Sequence, residues 1–78
     1  MITIHKFFSD RSDFGSLEIS IPDGHWSFSM MEVDDFFLVD RKCAERAANH
    51  ARKHGGYHGK AFVRRKVSDS TTAIVRAL

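Results

Sequence analysis

At 78 residues the chain makes one domain near the lower end of what folds unaided, so its core is thin and a monomer or a homodimer is expected. Its single cysteine, Cys43, excludes an intrachain disulfide, and a lone thiol on the packed side of a helix is ordinarily inert, which fits a reducing cytoplasm. The net charge of +2 conceals a division: residues 1–40 carry two basic against eight acidic side chains and residues 41–78 ten against two, so −6 faces +8. Such a split points to charged partners, or to two halves that attract each other within the fold.

In chain order, Met1 to Phe8 has no basic start followed by a long apolar run, so neither a signal peptide nor a membrane span is expected. Ile2 and Ile4 alternate with Thr3 and His5 as a short strand would, and 9–13 is a polar loop. Leu17, Ile19 and Ile21 alternate with polar residues, Pro22-Asp23-Gly24 is a turn, and Trp26, Phe28 and Met30 alternate again, which predicts a β-hairpin. Val33-Asp34-Asp35 turns the chain into Phe36-Phe37-Leu38-Val39, either a strand or an irregular lead-in.

Asp40 is placed to cap a helix with its carboxylate. Residues 41–54 contain no proline, glycine or β-branched side chain, and Ala44, Ala47, Ala48 and Ala51 fall on one helical face. Lys42, Arg46, Asn49 and Lys53 fall on the wet side, the basic last turn suits the helix dipole, and Gly55 is the expected stop. Residues 60–67 form a basic strand whose inward face the alternation leaves open, 68–71 turn, and 72–78 return antiparallel. The expected fold is a single α+β domain: an antiparallel sheet of four to five strands with one helix, 40–54, on one face, in the order β-β-β-(β)-α-β-β.

Residues 33–76 resemble a group of small phage and prophage accessory proteins. The resemblance rests on the Asp34-Asp35-Phe36-Phe37-Leu38-Val39 segment, the alanine-rich helix closing in Arg52-Lys53-His54-Gly55, and the basic hairpin that runs through Lys60 to Lys66 and ends in Val75-Arg76. The chain departs from that pattern in the longer junction 56–59 and in Val75, where an aromatic is common. The resemblance implies this fold and a mobile-element origin. Proteins of that kind often bind host machinery, anti-restriction and anti-CRISPR inhibitors among them.

Catalytic and metal chemistry find little to stand on. His50 and His54 are spaced to share a metal, with His58 and Cys43 near in sequence, but no second cysteine or carboxylate follows at ligand spacing. Asp34-Asp35 reads as a turn rather than an acid–base pair, and the glycines at 55, 56 and 59 precede a strand where a phosphate loop precedes a helix. No cofactor is implied and the protein is read as a non-enzyme. Two surfaces remain. The basic one comprises Arg41, Lys42, Arg46, Arg52, Lys53, Lys60, Arg64, Arg65 and Lys66, suited to a phosphate backbone or a protein partner, and the acidic and aromatic one comprises Trp26, Glu32, Asp34 and Asp35. The leading expectation is a phage-type inhibitor that contacts a host protein complex in the host cytoplasm. The competing one is a nucleic-acid-binding or regulatory protein.

Overall fold

A computed structural model of the chain describes residues 3–8 and 28–78. Within them lie strand β1 (Phe36–Asp40), helix α1 (Arg41–His58), strand β2 (Phe62–Lys66) and strand β3 (Thr71–Arg76). The strands form one antiparallel sheet in the order β1-β3-β2, with Phe37 opposite Ile74 and Arg64 opposite Ile74 from the other side. The α+β class holds. Three strands, rather than four to five, are present among the described residues.

Phe36-Phe37-Leu38-Val39 is a strand buried on both faces, which is why it shows a continuous apolar run instead of alternation. Phe37 and Val39 point to the helix side and pack with Ala44, Ala47, Ala51 and Ile74. Phe36 and Leu38 point the other way and pack with Ala73 and Val75. A buried phenylalanine contributes roughly 2–3 kcal/mol, so β1 is the strongest single contributor to this thin core.

The alanine stripe behaves as its spacing predicts: Ala44, Ala47 and Ala51 are buried, Ala48 is half-buried, and Lys42, Arg46, Asn49 and Lys53 are exposed. The helix begins where expected, with Asp40 in the N-cap position, but the Asp40 carboxylate makes no capping bond and the first-turn Arg41 N–H donates to the Ser70 carbonyl at 2.9 Å. The C-terminal end differs from expectation: the helix continues past Gly55 to His58 and stops at Gly59, which holds φ 67°. Gly55 is a close-approach residue: the Lys60 carbonyl lies where its Cβ would be, so β2 can cross tightly under the helix end.

Two strand expectations are corrected. Phe28–Met30 forms a 3-10 turn, not the second half of a hairpin, with Phe28 buried and Met30 71% exposed, whereas alternation would set both on one face. Among the described residues of the first stretch, 3–8, only His5 joins the sheet edge, through a bridge to Phe36. The expected strand at Leu17 to Ile21, the Pro22-Asp23-Gly24 turn and Trp26 lie outside the described residues. The open question of β2 has a two-sided answer: Phe62 packs on the helix-side core while Val63, with Val67 just past the strand, packs on the opposite one.

Candidate functional site

Because Phe62, Arg64 and Lys66 share the helix side of β2 and α1 covers only the Phe62 end, the far end of β2 stays open. There an open cleft of about 500 Å³ lies between the first turns of α1 and the β2–β3 hairpin, lined by Arg41, Ala44, Glu45, Arg64, Lys66, Ser68, Asp69 and Thr72. Of the basic residues singled out from the sequence, the fold brings Arg41, Arg64 and Lys66 around this one space. It also brings two carboxylates that sequence reasoning missed, Glu45 and Asp69. Lys66 Nζ sits 3.3 Å from the Asp69 carboxylate on an exposed rim.

The other basic residues disperse. Lys42 and Arg46 line a shallower groove on the outer side of α1 with Glu45, Asn49 and His50, while Arg52 and Lys53 are exposed further along the helix. Lys60 is half-buried at the α1–β2 junction, its N–H donating to the Gly55 carbonyl. Arg65 is exposed on the opposite face of the sheet.

The acidic set divides as well. Glu32 and Asp34 are exposed, and Asp34 takes a left-handed φ of 73° that aspartate tolerates. Asp35, expected at a partner surface, is only 3% exposed and committed inside the fold. Its carboxylate accepts from Lys6 Nζ at 2.7 Å and from the Glu32 N–H at 2.9 Å. Burial alone would raise the Asp35 pKa, but the Lys6 ammonium, the Glu32 N–H and the Arg76 charge together hold it below the usual carboxylate value. Arg76, not singled out from the sequence, ties this end of the sheet together by donating from Nη1 to the Met31 carbonyl at 2.6 Å.

The histidines do not gather into a metal site: among the described residues no group of three or more His, Cys, Asp or Glu side chains is placed to hold an ion. His54 lies against Phe28 and Phe62 and its ring centre is 4.3 Å from that of His58. Its Nε2 is buried with no hydrogen-bond partner, and burial, then the neighbouring His58 and Lys60, lowers its pKa. That is a half-buried histidine packed against aromatic rings.

The backbone of β2 carries a second feature of the site. The Ala77 N–H donates to the Ala61 carbonyl and the Val67 N–H to the Thr71 carbonyl, which fixes the ladder phase. By antiparallel alternation, residues 61, 63, 65 and 67 turn their backbone groups to β3, while Phe62, Arg64 and Lys66 turn theirs outward. Among the described residues no strand lies on that side. Among the described residues, the basic cleft therefore opens beside an unpaired sheet edge.

Comparison of the chain with protein-family models, with curated proteins and with solved structures finds no match.

Proposed function

We propose that this protein acts by binding rather than by catalysis, as a small phage-type inhibitor that engages a host protein complex in the host cytoplasm. The observation that carries this reading is the cleft, where Arg41, Arg64 and Lys66 stand with Glu45 and Asp69 beside a sheet edge that no described strand pairs. Cations interrupted by carboxylates suit a polypeptide, which presents charges of both signs, better than a uniformly negative phosphate backbone. Exposed Phe7, Met30 and Val33, with Glu32 and Asp34 close in the chain, add the apolar content a protein interface uses. The resemblance of residues 33–76 to phage accessory proteins supplies the host setting, with defence complexes of the CRISPR or restriction type as the natural targets.

The test is reconstitution with purified candidate complexes. A defined stoichiometric assembly in light scattering, weakened by Arg64→Glu or Asp34→Lys, is the expected result. Absence of any such assembly, with binding of nucleic acid instead, overturns it. That second reading is favoured by Lys42, Arg46, Arg52 and Lys53, all exposed on α1. It requires oligonucleotide affinity that falls steeply with added salt and drops on reversing those charges.

A further inference from the structure

The edge of β2, which no strand among the described residues pairs, says how a partner would be held. We infer that it is a strand-addition site for an acidic, extended polypeptide segment, an inference that rests on the protein-binding reading above. The outward N–H and C=O groups of Phe62, Arg64 and Lys66 form a three-residue template that an extended chain can pair with directly. Side chains of an added strand alternate between two faces. Those on the helix side meet Arg64, Lys66 and Arg41 around the cleft, and those on the other side meet Arg65. The segment that fits carries carboxylates on its cleft-facing positions, where three cations outnumber Glu45 and Asp69, and apolar side chains on the face of Val63.

Charge decides between the occupants. A second copy of the chain pairing through this edge would bring two Arg64-Arg65-Lys66 triplets together, and like charges across a strand pair are unfavourable. The same triplet attracts an acidic segment. A nucleic-acid strand could meet the side chains but has no ladder of alternating donors and acceptors to match the β2 backbone. The edge charges thus both guard against self-association and select the partner.

The experiment uses the full chain, labelled with 15N, and four probes: an acetylated peptide alternating Glu and Val, its Lys and Val counterpart, a Glu-rich peptide with proline at alternate positions, and oligo-dT. The expected result is slowed amide exchange at Phe62, Arg64 and Lys66 with the Glu/Val peptide alone. Val63 and Arg65, already bonded to β3, should not change. Arg64→Pro, which removes an outward donor and leaves the β3 ladder intact, should weaken the Glu/Val peptide at least tenfold beyond Arg64→Ala, which removes only the charge. Should Arg64→Pro fail to fold, the wild-type exchange pattern decides alone. Equal protection by the Lys/Val peptide, no protection by any peptide, or protection of these amides by raised protein concentration overturns the inference. Failure of the Glu/Val peptide alongside a stoichiometric protein complex held elsewhere sinks strand addition and leaves the protein-binding reading standing. Binding of oligo-dT alone removes both.

Discussion

Gly55 and Lys60 are locked together by their backbones: the Lys60 N–H donates to the Gly55 carbonyl at 3.0 Å, and the Lys60 carbonyl occupies the space a Gly55 side chain would need. This pairing returns the chain under the helix within a few residues and sets where β2, with its basic edge, begins. Gly56, the next residue, has open space around its Cα.

The two glycines should therefore respond oppositely to the same change. Gly55→Ala forces the β2 lead-in away and should cost about 1–3 kcal/mol, an overpacking penalty. Gly56→Ala removes backbone freedom from an exposed helical position and should stabilise by up to about 1 kcal/mol. Urea midpoints of the two variants, compared at equal slope, check the sign of each.

Asp35 should matter more to the fold than Lys6, its partner. Asp35→Ala leaves the Glu32 N–H without its acceptor and should cost roughly 1–3 kcal/mol, whereas Lys6→Ala removes an exposed ammonium and should cost less. The Asp35 pKa lies below its unfolded value of 3.8, so its stabilising contribution is present above that value and is lost as pH falls through the folded pKa. Acid unfolding followed by circular dichroism should shift to higher pH in Lys6→Ala.

His54 should act with the same sign at milder acidity. Its folded pKa is lowered from 6.5, so the unfolded chain takes up a proton first and stability declines as pH drops below about 6.5 toward the folded value. The groups facing it are Phe28, Phe62, His58 and Lys60, none of which hydrogen-bonds its buried Nε2. His54→Phe should flatten the profile between neutral and mildly acid pH and leave stability at pH 8 within about 1 kcal/mol of the parent, as a near-isosteric apolar swap permits. Thermal melts across that range measure it, and an unchanged slope would count against the assignment.

Ala47 sits at the centre of the helix–sheet contact with no exposure, while Arg46 beside it is in water. Ala47→Leu should destabilise by roughly 1–3 kcal/mol and Arg46→Leu, which sets the same side chain on the wet face, hardly at all. Parallel denaturation of the pair tests whether the alanine stripe is there to let α1 lie close to β1 and β3.

How much of this could be read in advance depends on the range of the interactions. The helix body was legible because i, i+3, i+4 spacing is a local signal, and the same holds for the β2–β3 hairpin with its polar turn. The C-terminal end of the helix was not. Gly55 and Gly56 look like a stop, yet the helix runs through them to His58, and Gly55 is required because the Lys60 carbonyl, brought back beneath the helix, leaves no room for a Cβ. Phe28 and Met30 alternate with serines, yet adopt a turn because Phe28 packs against Phe37, Phe62 and His54 from elements that lie later in the chain.

The candidate site divides in the same way. That basic residues cluster after position 40 is a property of composition, and no folding was needed to see it. That Arg41, Arg64 and Lys66 share a cleft with Glu45 and Asp69, that Asp35 is consumed internally, and that the Phe62, Arg64 and Lys66 backbone faces outward follow from strand order and register. Those quantities are set by which distant segments pack together, and a linear pattern of side chains carries almost no information about them.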